Sequence, residues 1–281
     1  MSNSPVRGGA LPSGSRVVQS LAQVGAMRLL RCAPKDGFTN MAVDEAILRA
    51  HAAGEAPPTL RLYAWNPPAI SIGYFQRAQR DINLEACARA GVDVVRRLTG
   101  GRGVLHADEV TYSIVIAERA FAGAGVLEAY RILSEGLIAG LRRLGLEAHL
   151  APGQRAHPGP SGANCFAAAA SCDLVVNGLK ICGSAQVRRD GVVLQHGALP
   201  LEMVDPSRFW REPGPPPHAT DLARALGRRP EWEEVADALA AGFAEALGVS
   251  LQPGDLTPRE RELARELRQE KYATEAWNLR R

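Results

Sequence analysis

The sequence has no hydrophobic run long enough to cross a membrane and no strong excess of charge of one sign. No apolar stretch reaches the roughly 18 residues that a transmembrane helix requires. The formal net charge is only +3 at pH 7, which is too small to indicate nucleic-acid binding and is compatible with acidic protein partners. We therefore expect neither a membrane segment nor a nucleic-acid partner.

Cysteine is scarce, and its pattern excludes the common structural uses of thiols. The chain has five cysteines, an odd and scattered set. No C-x-x-C pair and no Cys/His cluster has the spacing of a zinc site, so we expect no metal. A reducing cytoplasm explains this pattern better than a disulfide framework does. At least one thiol must be free, which directs attention to thiol chemistry.

The common phosphate-binding motifs are also absent, although one glycine-rich segment is present. Thr99–Gly103 reads T-G-G-R-G after a predicted strand, but it fits neither a Walker A sequence nor G-x-G-x-x-G. Its glycines allow close backbone approach to a ligand, and Arg96, Arg97 and Arg102 are suited to neutralising a phosphate or a phosphorylated cofactor arm. The alternatives are an ordinary tight turn between strands and a purely structural role for His106.

Hydrophobic periodicity predicts strands and helices that interleave irregularly. Helices are expected at 39–54 (capped by Thr39 or Asn40), 83–90, 126–145, 221–227 and 231–248, with a capping box at Thr257–Glu260, and strands at 59–65, 92–98 and 110–117. The turn dipeptides Asn177-Gly178 and Asp190-Gly191 predict a three-stranded meander over residues 173–200. The pattern indicates an α+β protein with a mixed β-sheet flanked by helices rather than a regular βαβ alternation.

The meander contains a lysine whose surroundings are ambiguous. In a hairpin closed by Asn177-Gly178, Lys180 pairs with Val175, and paired residues share a face of the sheet. This register places Lys180 on a polar face with Cys182, opposite a core face. The small residues Gly183, Ser184 and Ala185 leave room for another group to approach. The polar face is then either solvated or chemically active.

A chemically active Lys180 would act on a thiol. Its ammonium would favour the thiolate that attacks acyl groups, or a neutral lysine would take the thiol proton and return it later. Cys182 lies on the same predicted face, Cys172 stands at the strand entry, and Cys165 lies in a loop after a segment rich in Pro and Gly. Loops often carry catalytic residues, but these residues alone leave the choice open.

Three segments together resemble a known family. N-M-A-V-D-E-A (40–46), R-R-L-T-G-G-R-G-V-L-H (96–106) and N-G-L-K-I-C-G-S-A-Q (177–186) resemble the hallmarks of the lipoate-protein ligase A / lipoyl(octanoyl)transferase superfamily. The resemblance implies a catalytic domain like that of biotin and lipoate protein ligases, with an acyl tunnel beside the glycine-rich segment. It also suggests a division of the chain into a flexible extension (1–25), the acyltransferase domain (26–250) and a helical tail packed on it (251–281).

Within that superfamily the chain is most similar to the cysteine-dependent octanoyltransferases of the LipM type. They share its G-G-R, its S-G-x-x-C-F loop, its Q-H-G strand and its K-Y-x-x-x-x-W-N tail, whereas ATP-dependent ligases usually read G-G-G. The resemblance implies that Cys165 is the acyl-thioester nucleophile and that Lys180 lowers its pKa or transfers its proton. The implied substrate-binding residues are Arg97, Gly100, Gly101, Arg102, Gly103, His106, Gly183, Ser184 and Ala185. The alanine-rich Ala167–Ala170 departs from the family pattern.

The implied activity is octanoyl transfer without a cofactor. The donor is octanoyl-acyl carrier protein, and the acceptor is a lysine of a lipoyl domain such as glycine cleavage H protein. The alternatives are an ATP-dependent lipoate-protein ligase, an octanoyl relay amidotransferase between lipoyl domains, and a non-catalytic scaffold of the same fold.

Overall fold

The computed structural model describes residues 20–21, 23–151, 173–212 and 218–281. Within these ranges a mixed eight-stranded sheet has the order β11-β1-β2-β6-β10-β9-β8-β7. Its strands are β1 (Ala26–Arg31), β2 (Thr59–Tyr63), β6 (Glu109–Ala117), β7 (Ala148–Leu150), β8 (Leu174–Val176), β9 (Leu179–Arg189), β10 (Val192–Pro200) and β11 (Ser250–Pro253). Strands β11 and β2 run parallel to β1, and the remaining neighbours pair antiparallel.

A second sheet is formed by three strands that come between β2 and β6 in the sequence. It has the order β4-β3-β5, formed by β3 (Ala69–Ile72), β4 (Asp93–Arg96) and β5 (Val104–His106). Strand β4 is parallel to β3, whereas β5 is antiparallel to it. The glycine-rich turn connects β4 to β5, so it lies at the end of this sheet where β4 ends and β5 begins.

Helices cover both faces of the main sheet. They are α1 (Gly37–Ala52), α2 (Ala78–Asp81), α3 (Leu84–Arg89), α4 (Val126–Arg143), α5 (Leu222–Leu226), α6 (Trp232–Leu247), α7 (Pro258–Leu267) and α8 (Glu275–Asn278). Apolar residues of α4 and α6 form one core with the sheet, and apolar residues of α1 and α7 form another. The described helices include none that is long and apolar enough to span a membrane. This architecture confirms the predicted α+β class.

The helix predictions are confirmed in place, but the start of α1 differs. The helix begins at Gly37, and the carboxylate of Asp36 caps it by accepting a hydrogen bond from the backbone N–H of Thr39. The predicted cap at Thr39 or Asn40 is therefore wrong by about one turn. Asn40 is instead a buried amide, and it donates to the carbonyls of Lys35 and Ala64.

The predicted three-stranded meander is confirmed, but its register changes after Lys180. Val175 pairs with Lys180 as predicted, whereas Leu174 pairs with Cys182 instead of Ile181. One extra residue on β9 forms a bulge, and every later side chain on that strand changes face. Cys182 therefore packs in the core with Leu174, and the predicted common face of Lys180 and Cys182 is wrong.

The tail of the chain packs against α1 and β1. Leu263 and Leu267 of α7 belong to the same apolar cluster as Ile47 of α1. Arg28 on β1 forms a buried ion pair with Glu260, whose two oxygens accept from its guanidinium at 2.5 and 2.7 Å. The N-terminal extension expected at 1–25 lies almost entirely outside the described residues.

Candidate active site

A pocket lies on the face of the main sheet that carries α1 and the second sheet. Its empty space, including the open mouth, is about 420 Å³. The surface that lines it is mostly apolar. The lining residues are Met41, Tyr63, Trp65, Ser71, Arg97, Gly101, Val104, His106, Thr111, Gly183, Ser184, Ala185, His196, Gly197 and Ala198.

Most residues predicted to bind substrate line this pocket. They are Arg97, Gly101, His106, Gly183, Ser184 and Ala185. Gly100, Arg102 and Gly103 belong to the same glycine-rich turn but are not part of the lining. The carbonyls of Gly100 and Arg102 accept hydrogen bonds from Nη2 of Arg97 at 2.8 and 3.1 Å, so Arg97 holds the turn from inside.

Glycine is required where the turn and the strands come closest. Gly101 has a φ of +91°, a left-handed conformation that favours glycine. A Cβ atom on Gly73 would lie 2.0 Å from the carbonyl oxygen of Gly101. On the sheet, a Cβ atom on Gly197 would lie 2.5 Å from Oγ of Ser184. A side chain at either position would therefore force the neighbouring turn or Ser184 to shift.

Lys180 is buried beside a carboxylate. Only 1% of the residue is exposed, and its Nζ lies 2.8 Å from Oδ2 of Asp173. Its backbone N–H donates to the carbonyl of His218, and its carbonyl accepts from the N–H of Thr220. The solvated interpretation of Lys180 is therefore wrong. The carboxylate of Asp173 supplies a negative charge at hydrogen-bonding distance from the buried lysine nitrogen. Sequence reasoning did not assign Asp173 a role.

Two of the thiols in the described residues are poorly suited to nucleophilic attack. Burial raises the pKa of Cys182 to about 12, although its hydrogen bond to Ser184 and the charge of Lys180 oppose this effect. Burial likewise raises the pKa of Cys87 to about 11. Both thiols are therefore protonated at neutral pH. Cys165 and Cys172 lie outside the described residues.

Arg97 supports a chain of buried hydrogen bonds at one side of the pocket. Its Nη1 donates to Oγ of Ser71 at 2.9 Å, and the serine hydroxyl forms a hydrogen bond of 2.6 Å with Nε2 of His106. Nδ1 of His106 donates to the carboxylate of Glu109 at 2.7 Å. Thr111 also donates to Glu109. His106 thus has a fixed orientation.

The same arginine supports a second chain of this kind. Its Nε donates to Oγ1 of Thr99, and the threonine hydroxyl donates to Nε2 of His196 at 2.8 Å. Nδ1 of His196 faces Oδ2 of Asp44 at 3.3 Å. Burial lowers the pKa of His196 despite Asp44, which keeps the ring neutral at pH 7. Burial alone would raise the pKa of Asp44, but Arg61 and His196 hold it below its usual value.

Several pocket residues were missed by sequence reasoning. Tyr63 and Trp65 end a strand whose pattern indicates core packing, and nothing in that pattern shows that they border a pocket. The Trp65 ring stacks on His106 with centroids 4.0 Å apart, and its N–H donates to Thr111. No group of three or more His, Cys, Asp or Glu residues in the described ranges is arranged to hold a metal ion.

Comparison with known proteins connects this geometry to a family. The family model for the lipoyl protein ligase A/B catalytic domain matches residues 36–244. The octanoyltransferase LipM of Symbiobacterium thermophilum is 47% identical over 270 residues, which cover 90% of this chain and 98% of that protein. The octanoyltransferase LipM of Kyrpidia tusciae is 46% identical over 273 residues, with 90% and 98% covered.

A solved structure has the same fold. Lipoate-protein ligase A bound with ATP matches with a TM-score of 0.76 and 29% sequence identity. The match covers 90% of this chain and 98% of that one.

Proposed function

The chain belongs to the lipoyl protein ligase A/B catalytic domain family, and we propose that it is an octanoyltransferase that works through a thioester on Cys165. Relatives named octanoyltransferase that are 46–47% identical over nearly their whole length support octanoyl transfer in protein lipoylation. The proposed donor is octanoyl-acyl carrier protein, the proposed acceptor is a lysine on a lipoyl domain such as glycine cleavage H protein, and the proposed location is the cytoplasm.

One observation supports placing the nucleophile in the segment that contains Cys165 and Cys172, and the family resemblance of its S-G-x-x-C-F loop selects Cys165. The described residues on either side of the segment that contains it, Ala151 and Asp173, are joined by a backbone hydrogen bond of 2.8 Å. Asp173 also holds Lys180. The segment therefore leaves and rejoins the described structure beside the buried lysine. The protonated thiols of Cys182 and Cys87 are unsuited to the role.

The proposed first step forms the acyl-enzyme. The Lys180 ammonium, kept charged by Asp173, favours the thiolate of Cys165. That sulfur attacks the thioester carbonyl of the donor, a bond forms between it and the carbonyl carbon, and the bond to the carrier sulfur breaks. The departing sulfur takes the proton that Cys165 gave up, so the carrier leaves as a thiol.

The proposed second step passes the acyl group to the acceptor. The neutral ε-amine of the acceptor lysine attacks the thioester of Cys165, a C–N bond forms and the C–S bond breaks. The nitrogen loses one proton, which balances the charge of the departing thiolate. One thioester exchange precedes the formation of a more stable amide, so the sequence needs no ATP.

The pocket suits the acyl chain. Gly183 and Ala185 lie on the same face of β9 as Lys180 because of the bulge, and both line the pocket. Four paired residues form a row across the neighbouring strands β9, β10, β6 and β2, and they are Gly183, Ala198, Thr111 and Tyr63. The mostly apolar wall thus extends across the sheet, away from the lysine. Polar side chains in it are hydrogen bonded to one another, which leaves little polar surface facing an alkyl chain.

An activity assay tests the proposal against the ligase alternative. Purified protein is incubated with octanoyl-acyl carrier protein and an unmodified lipoyl domain, without ATP, and the mass of the lipoyl domain is followed. The expected result is an octanoyl increment that ATP does not increase and that Cys165→Ala abolishes. Modification of the lipoyl domain only from free octanoate or lipoate, and only with ATP, would contradict the proposal.

A further inference from the structure

We propose that Phe75, Arg77, Arg102, Arg280 and Arg281, here called the arginine rim, form the docking surface for an acidic face of the lipoyl domain that accepts the acyl group. The inference rests on the proposed function, because it assigns a partner to the same site.

The arginine rim has the composition of a protein interface. Phe75 is 69% exposed, which is unusual for a large apolar side chain. The Arg281 guanidinium lies 5.5 Å from its ring centroid, and the Arg280 guanidinium lies 4.0 Å from the ring centroid of the neighbouring Tyr74. Exposed aromatic and arginine side chains are enriched in interfaces and in their energetic centres.

The charge of the arginine rim is not neutralised within the described part of the chain. Its four arginines form no ion pair there, and they are Arg77, Arg102, Arg280 and Arg281. The sequence from Gly73 to Arg80 contains no carboxylate side chain. Arg80 is different, because it pairs with Asp81. Arg281 lies over the ring of Phe75, and a surface with this aromatic side chain and four arginines that form no ion pair complements a partner with carboxylates on its surface.

The arginine rim adjoins the pocket. Phe75 lies two residues after Gly73, and Gly73 packs against Gly101 of the pocket lining. Between them, the backbone N–H of Tyr74 donates to the carbonyl of Thr99 at 2.9 Å. Arg102 is part of that same turn. An acceptor lysine reaches the acyl-enzyme only by the length of its own side chain, so its domain must dock close to the pocket. This favours the acceptor over the acyl donor as the occupant.

The test separates the two half-reactions in Phe75→Ala and in the double variant Arg77→Glu/Arg281→Glu. Acyl-enzyme formation from octanoyl-acyl carrier protein is timed by intact mass, and transfer to an unmodified lipoyl domain is timed separately over a range of salt concentrations. We expect unchanged acyl-enzyme formation and a KM for the lipoyl domain raised by roughly tenfold or more. The salt dependence of transfer should become weaker in the double variant.

The matched control is Arg142→Glu on α4, an exposed arginine outside the arginine rim; it should leave the KM for the lipoyl domain unchanged. An unchanged KM in the rim variants would overturn the proposal, and so would slower acyl-enzyme formation with normal transfer, which would assign the surface to the donor. If the unaltered protein forms no acyl-enzyme, the proposed function fails instead. In that case the docking surface is tested separately by measuring the affinity of the lipoyl domain for the same variants by calorimetry. Weaker binding to the rim variants would support the docking surface, and unchanged binding would overturn it.

Discussion

Lys180 has a partner that its sequence context does not reveal. An unpaired buried ammonium is costly, and a carboxylate at hydrogen-bonding distance offsets much of that cost. Asp173 supplies this carboxylate at 2.8 Å. This pair is the basis for proposing the route in which a charged lysine stabilises a thiolate, rather than the route in which a neutral lysine removes the thiol proton.

Asp173→Asn is therefore expected to slow acyl-enzyme formation. The change removes the negative charge that lies 2.8 Å from the Lys180 nitrogen, so the cation proposed to stabilise the thiolate is itself less stabilised. The rate at pH 7 should fall roughly tenfold or more, and the acidic limb of the pH–rate profile should move to higher pH. The control is Asp190→Asn, which makes the same chemical change on the exposed turn between β9 and β10. It should leave the rate at pH 7 and the pH–rate profile unchanged. An unaltered profile in Asp173→Asn would show that the pair has no part in activating the thiol.

Glu109 is expected to position the pocket through His106. Nδ1 of His106 and the Thr111 hydroxyl both donate to the same oxygen, Oε1, of Glu109. Glu109→Gln removes the negative charge that strengthens both hydrogen bonds and turns the other carboxylate oxygen into a donating NH2 group. The free energy of unfolding should fall by about 1–3 kcal/mol. The KM for the octanoyl donor should rise more than kcat falls, because the chain through Ser71 that holds Arg97 is disturbed. Loss of stability with unchanged steady-state constants would limit Glu109 to a structural role.

At the level of strands and helices, local patterns predicted the elements but not every register. The Asn177-Gly178 turn correctly predicted the pair of Val175 with Lys180, because a two-residue loop determines the first pairs of a hairpin. The bulge at the next residue depends on packing against the core, where both Ile181 and Cys182 are buried. Similarly, Asp36 caps α1 because Asn40 is needed inside, a tertiary requirement that helix periodicity does not contain.

Helix α7 of the tail offers a test of how firmly the tail is attached. Glu260→Gln removes one charge of a buried ion pair with Arg28 and leaves a side chain that can still serve in the capping box. The free energy of unfolding should fall by roughly 3–5 kcal/mol in chemical denaturation. The control is Glu262→Gln on the same helix, which breaks an exposed pair with Arg259 and should cost at most about 1 kcal/mol. Equal losses would contradict this explanation of the attachment.

On the scale of the whole molecule, the pocket is assembled from segments far apart in sequence. The segments with distinctive motifs predicted Arg97, Gly101, His106 and the residues 183–185 of the lining. Tyr63 and Thr111 lie between those motifs, on strands whose alternation looks the same for a packed core and for a pocket wall. Only the pairing of the strands and the placement of the second sheet distinguish the two.

The thioester on Cys165 can be observed by mass spectrometry. The protein is incubated with octanoyl-acyl carrier protein without ATP, acid-quenched and digested, and the peptide that contains Cys165 is analysed before and after hydroxylamine treatment. We predict one octanoyl group on Cys165 that hydroxylamine removes. The variant Cys165→Ser should carry no octanoyl thioester. An unmodified Cys165 in protein that still transfers octanoate, or an octanoyl group on another cysteine, would contradict the mechanism.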